Sequence, residues 1–219
     1  VKALLATIVL VASFFSSASL AADFPVQGRV FVGTINPKFD NVNQELRRLG
    51  LEEIGSVPMF GAEVTYAVLP ILEVGLNYSK RANVRKTSGV SGYLSELDQD
   101  VALAVARVPF IKTSVVRVDV FAGVGGSNTT LKIKSATQTG EISKRDSKEF
   151  FASVASRYGA SAAVGFRGFY FFFEGGMESN KVDSLTRTGT VGGNIQYIDF
   201  TGPYGLIGLH MDGATLTKK

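Results

Sequence analysis

The sequence predicts an all-β fold: an eight-stranded antiparallel up-and-down transmembrane β-barrel with a short helix in the first long loop. Three observations lead there. A hydrophobic leader opens the chain. Eight short segments follow, in which bulky apolar residues alternate with small or polar ones. The connections between them are by turns long and polar, then very tight. In a barrel wall, that alternation sets one face against lipid and the other against a crowded polar lumen.

In the leader, Lys2 is a lone positive charge ahead of the apolar run 3–12, and small residues continue to Ser19-Leu20-Ala21-Ala22. A charged start, an apolar core and a small-residue cleavage site mark residues 1–22 as a signal peptide, leaving 23–219 for the barrel. The run is too short for a spanning helix, which takes about 20 apolar residues. The chain holds 45% hydrophobic residues and 24 glycines but few helix-period runs, and a barrel hides its apolarity in alternation. Cysteine is absent, so disulfides and thiolate metal sites are excluded and stability must come from closing the strand ladder. A formal charge of +4 gives no argument for nucleic acid.

The segments follow in order. The first, about 28–34, sets Val30 and Val32 against Arg29. The second, 60–68, places Phe60, Ala62, Val64, Tyr66 and Val68 opposite Gly61, Glu63, Thr65 and Ala67. After the turn Leu69-Pro70, the third sets Leu72, Val74, Leu76 and Tyr78 against Glu73, Gly75, Asn77 and Ser79. The fourth, about 98–108, has Val101, Leu103 and Val105 on its bulky face, expected outward, and Ala102, Ala104 and Ala106 on the other. The fifth, 115–126, opposes Val116, Val118, Val120, Ala122 and Val124 to Arg117, Asp119, Phe121, Gly123 and Gly125. The sixth, about 152–166, and the seventh, 169–177, meet at Arg167-Gly168 and carry Tyr158, Val164, Phe166, Phe169, Phe171 and Phe173 on the apolar face. The eighth is drawn at about 195–211, with Pro203 marking a bulge or bend. Successive side chains of a strand point to opposite faces, so each segment has one greasy and one small, polar face.

The long loops lie at about 35–59, 80–97, 127–151 and 178–194. The first contains a helix over 41–50: Asn41 caps it, Gln44 stands where a capping box needs it, Gly50 ends it, and Val42, Leu46 and Leu49 share a face.

Two groups of charge stand out. Arg29, Glu63, Glu73, Arg117, Asp119 and Glu174 lie on the small faces, a few residues from the tight turns, and are expected in one lumen layer. Paired, they plug the interior. Four carboxylates against two arginines also leave a surplus, which calls for water, a cation, another basic group such as Arg167, or a protonated acid; the cation option would make the lumen a weak cation pathway. At the other end, Lys80, Arg81, Arg85, Lys86, Lys132 and Lys134 form a basic rim suited to anionic lipid phosphates. His210 is the one histidine; with no serine beside it no catalysis is expected, and with only Asp212 as an adjacent carboxylate no metal site is expected. The Gly-rich pieces 123–126 and 192–193 are not phosphate loops, because no helix follows them.

In strand number, loop alternation and leader, the chain resembles the small eight-stranded bacterial outer-membrane β-barrels, the group of the OmpA transmembrane domain, OmpX and OmpW. The resemblance spans the mature chain and rests on pattern rather than on a diagnostic motif. It implies a non-catalytic outer-membrane protein without a cofactor, a monomer, serving membrane integrity or surface contact through its outer loops. The alternative is a narrow channel for small ions or solutes. The partners implied are outer-membrane lipids, including lipopolysaccharide, and the barrel-insertion machinery. Two features depart from the group: the chain runs on from Asp212 to Lys219 instead of ending on an aromatic residue, and tryptophan is absent. An interfacial girdle would draw on Tyr66, Tyr78, Tyr158, Phe166, Phe169 and Tyr204.

Overall fold

The computed structural model describes residues 26–86, 94–144, 152–190 and 194–213. The leader assigned to residues 1–22 lies outside them, as do the side chains of Arg85 and Lys86. The described elements are, in order, β1 (Val26–Ile35), α1 (Asp40–Arg48), β2 (Val57–Leu69), β3 (Leu72–Lys86), β4 (Leu94–Lys112), β5 (Val116–Lys134), β6 (Thr139–Lys144), β7 (Ser153–Phe166), β8 (Phe169–Ser179), β9 (Lys181–Val182), β10 (Thr186–Gly189), β11 (Ile198–Asp199) and β12 (Gly202–Asp212).

Eight of these strands make the wall. Each is antiparallel to its neighbours in the ring β1-β2-β3-β4-β5-β7-β8-β12, and β12 closes against β1. Closure pairs the backbone groups that an open sheet would leave at its edges. The tight turn between β7 and β8 needs two residues in the left-handed region, and Arg167 (φ 53°) and Gly168 (φ 85°) supply them. That backbone matches the twist of the flanking strands. The ladder shifts register at two places, between Ala67 and Leu69 and between Pro109 and Ile111, both beside tight turns.

The wall is apolar outside. Leu76 is 72% exposed, Phe166 64% and Phe173 62%, and Val32, Val124 and Leu209 share the same outer belt. The interior is polar: glutamate, aspartate and arginine side chains there are buried. Tyr66, Tyr78, Tyr158, Phe166 and Phe169 are exposed, whereas Tyr204 turns inward and is buried, so it is no part of an outer girdle.

Two expectations about the strands need correction. On β4 the bulky face points in. Val101, Leu103 and Val105 are buried and pack with Ala155, because they stand opposite Ser127, Gly125 and Gly123 of β5, whose small size leaves them room. The alanines Ala102, Ala104 and Ala106 take the outer face. The last wall strand starts at Gly202 rather than near 195. It passes Pro203 without a register shift, through Gly202↔Glu178, Pro203↔Met177 and Tyr204↔Gly176. A proline is tolerated there because it is the second residue of the strand.

β3, β4 and β5 run beyond the belt. Ser127 is the last residue of β5 paired with β7, and from Thr129 onward the same strand pairs with β6. β10 adds to β6, and the short pair β9–β11 lies nearby. Over this end sits α1. Phe39 precedes it without a side-chain cap; the expected cap, Asn41, donates instead to the carbonyl of Tyr197 at 3.1 Å. The helix stops as expected at Gly50 (φ 69°), with the Leu51 N–H on Leu46 O and the Gly50 N–H on Arg47 O, a Schellman end. Val42, Leu46 and Leu49 are buried, packed in one cluster with Ile54, Met59, Leu97, Leu131, Ile198 and Phe200. The barrel is thus capped by an apolar lid.

Inward glycines let the wall close. A side chain at Gly125 would run into the carbonyl of Ala102 and the backbone at Leu103. Gly125→Val is expected to cost about 1–3 kcal/mol by overpacking. A urea midpoint of the refolded barrel equal to that of the parent would refute this.

Candidate functional site

The lumen is the chemically richest part of the molecule, and it is built in layers. Strand parity sets the first layer. Glu63 on β2, Arg107 on β4, Asp119 on β5, Glu174 on β8 and Arg29 on β1 all take the inward positions of adjoining strands, so their side chains converge. Arg107 is the hub. Its Nε and Nη2 donate to Glu63, the Nη2 contact being 2.9 Å; Nη1 reaches Asp119 at 2.9 Å, and Nη2 also reaches Glu174 at 2.8 Å. Arg29 donates to Asp119 at 2.8 Å and to Ser161 at 3.2 Å, and lies 3.5 Å from Glu174.

Nearer the tight turns, Arg117 donates to Glu73, to Asp119 at 2.9 Å and to the Gln27 side-chain oxygen at 2.7 Å. Lys112 reaches in from the rim, 3.4 Å from Glu73 and 3.5 Å from Asp212. Asn77 completes Glu63 with a donated bond of 2.9 Å.

Towards the cap lies a second charged layer. Arg81 and Arg157 share Glu178, the Arg157 Nε bond measuring 3.0 Å. Arg81 also donates to Gln99 at 2.6 Å and Arg157 to Ser79 at 3.1 Å. Aromatic faces back the guanidiniums: Phe121 lies 4.2 Å from Arg107, Tyr204 5.1 Å from Arg157 and Phe172 5.2 Å from Arg29. Such faces attract the cation while filling apolar space.

All six charges that the sequence placed in the lumen are buried there and joined by ion pairs. The hub itself was not among them. Arg107 shares its face with Val101, Leu103 and Val105, and that shared parity was the available signal. The carboxylate surplus is met by further basic groups, though not by Arg167, which is exposed at its turn. Among the described residues, Arg29, Arg81, Arg107, Arg117, Arg157 and Lys112 face Glu63, Glu73, Asp119, Glu174, Glu178 and Asp212. The two sets are equal in number.

The basic rim also changes. Arg81 is 0% exposed and belongs to the lumen, because β3 continues to Lys86 and carries this odd-numbered position inward. Lys80 is held by Asp98 at 2.8 Å and Asp100 at 3.3 Å, and Lys132 lies 4.0 Å from Glu96. Lys134 is exposed at the end of β5. His210 is fully buried, edge-on to Tyr170 with ring centroids 5.5 Å apart, and makes no hydrogen bond among the described residues. No group of three or more His, Asp or Glu side chains among the described residues is arranged to hold a metal ion.

At the cap, Glu45 faces inward from α1. It accepts from Arg48 at 2.6 and 2.8 Å and from Asn194 at 3.0 Å. The Arg48 hydrogen bonds, helped by Asn194, outweigh burial and hold this carboxyl below its ordinary value.

Solved structures similar to this chain include the N-terminal β-barrel domain of Pseudomonas aeruginosa OprF, with a TM-score of 0.42, 13% identity, and 85% of this chain and 96% of that one covered. Neisserial surface protein A gives 0.42 and 13%, with 86% and 96% covered. The Escherichia coli outer-membrane protease OmpT gives 0.39 and 8%, with 86% and 94% covered. No family model and no curated protein matches the chain. The strand ladder carries the architecture: a closed antiparallel barrel of eight wall strands, apolar without and polar within, the arrangement of the small outer-membrane barrels.

Two outcomes follow from this geometry. Arg107→Met leaves Glu63, Asp119 and Glu174 short of a cation, and is expected to cost about 3–5 kcal/mol in unfolding stability; a loss below that of an exposed control such as Arg47→Met would refute the hub. A carboxyl whose folded-state pKa is lowered contributes stability above its unfolded value, about 4.3, and loses it as pH falls through the folded value. Acidification below about pH 4 is therefore expected to loosen α1 from the segment carrying Asn194, seen as faster protease cleavage there. Glu45→Gln should remove that pH dependence.

Proposed function

We propose that the protein is an integral outer-membrane barrel, non-catalytic, whose lumen is a stabilising core and whose work is done at its outer face, in membrane integrity or surface contact. One observation carries this reading: an exposed apolar belt surrounds an interior in which charges are matched and ion-paired beneath an apolar cap. A belt of that kind is unfavourable in water and suits acyl chains, and the ladder leaves no unpaired wall edge in the hydrocarbon. In this orientation the tight turns face the periplasm, and α1, β6 and β9–β11 face outward.

Anionic lipids, lipopolysaccharide included, are natural neighbours of this outer rim. Lys134 is the rim lysine best placed for their phosphates, since Lys80 and Lys132 already have carboxylate partners. The channel alternative loses the charge surplus that motivated it.

The test has two arms. The protein should fractionate with outer membranes and migrate differently before and after boiling; recovery in the soluble fraction without detergent would refute the membrane reading. In planar bilayers the intact protein should show no steady conductance. A stable open channel with cation preference, reduced in Glu73→Gln, would establish the pore instead.

A further inference from the structure

The cap carries a feature that the barrel does not need for closure. Between α1 and the segment 194–197 lies an open cleft. Two adjoining cavities of about 440 and 430 Å³ share Asn41, Gln44, Asn194 and Gln196 in their walls. Those volumes fall in the range of about 300–1,000 Å³ usual for small-molecule sites.

The charged groups at this cleft are engaged except Asp40, which stands exposed at the wall of the larger cavity. Glu45 is paired with Arg48 at 2.6 Å, and Arg47 with Glu53 at 2.7 Å. The amides are not all engaged. Asn41 and Asn194 each use their NH₂ group across the cleft, on the Tyr197 carbonyl and on Glu45, which sets the width of the opening. Gln44 and Gln196 line the cavities, and neither makes a side-chain hydrogen bond to any described residue.

We propose that this cleft binds a neutral sugar residue. A carboxamide offers two donors and a two-lone-pair acceptor, which suits neighbouring hydroxyls that both give and accept. The paired Arg47 and Arg48 leave no free cation for an anionic ligand, and the Asp40 carboxylate is a further acceptor for hydroxyl groups. An extended peptide would seek a strand edge to pair with, and these walls are a helix and an irregular segment. The same hydroxyl pattern is presented by the saccharide of lipopolysaccharide in the protein's own membrane and by glycans outside the cell. The inference rests on the outer-membrane reading only for the direction in which the cleft faces.

The experiment uses the full chain, purified and folded in detergent micelles. Its probes are glucose-, galactose- and N-acetylglucosamine-terminated oligosaccharides and the dephosphorylated core oligosaccharide released from lipopolysaccharide. At least one should bind, insensitively to salt. Affinity should fall about tenfold in Gln44→Ala/Gln196→Ala, as expected for losing two hydrogen bonds, while the heat-dependent migration stays that of the parent. Binding of the core oligosaccharide alone supports the proposal and assigns the source to the membrane; binding of the other probes supports it with an external source. Three results overturn it: no sugar bound, undiminished binding by the double variant, or binding abolished by salt. Capture of an extended peptide in place of any sugar overturns it as well. If sugar binding fails in a protein that still fractionates with outer membranes, only this inference falls.

Discussion

Arg107 ties β4 to β2, β5 and β8 through three carboxylates, and this buried network is the constraint on which the rest of the barrel turns. An eight-stranded barrel has an interior just wide enough for side chains. Whatever stands on the inward face of one strand must therefore meet whatever stands on the strands opposite. Buried charges are tolerated only when paired and hydrogen-bonded. A guanidinium, with five donors in a rigid fork, can serve several carboxylates at once. Arg29, Arg107 and Arg117 do so, and Ser161, Asn77 and Gln27 supply further hydrogen bonds.

The same constraint explains the distribution of size. With an arginine and an aromatic ring at each crowded level, the facing strands must be small, and the inward glycines of β5, β7 and β12 provide the gap. β4 is the informative exception to the rule that bulk points outward. Its valines and leucine can turn in because Gly123 and Gly125 give way across the ladder. The outer face of β4, left to alanine, is still apolar enough for the belt. Volume inside is conserved across strands, not strand by strand.

This accounts for what was legible in the sequence. Wall number, connections and the inward face of β2, β3 and β5 follow from alternation, because a charge on one face and branched aliphatics on the other leave a single orientation. On β4 both faces between 101 and 106 are uncharged, so alternation defines two faces without saying which is wet; Arg107, just beyond, decides it. Arg81 was misplaced for a related reason. Composition suggests that the strand ends where polarity begins, but ladder pairing continues past the belt, and parity continues with it. Lys112 escaped because it reaches the lumen from the rim. The cap was the least legible part. Its core joins α1 to residues near 131, 142 and 198, and no local pattern announces contacts of such sequence separation.

The cap bears on function through its rigidity. Loops that float above a barrel present no fixed shape. Here Asn43 pins the segment leading into β2 by bonding both the N–H and the carbonyl of Ile54, at 2.9 and 3.0 Å. Glu45 draws α1 and Asn194 together, and the apolar cluster below seats the whole on the extended strands. Ordering these segments in advance removes most of the entropy that a ligand would otherwise have to overcome. A lumen filled with matched charge has no comparable use for a preformed mouth. The proposed contact with a partner therefore rests on the ordered cap and not on the polar interior.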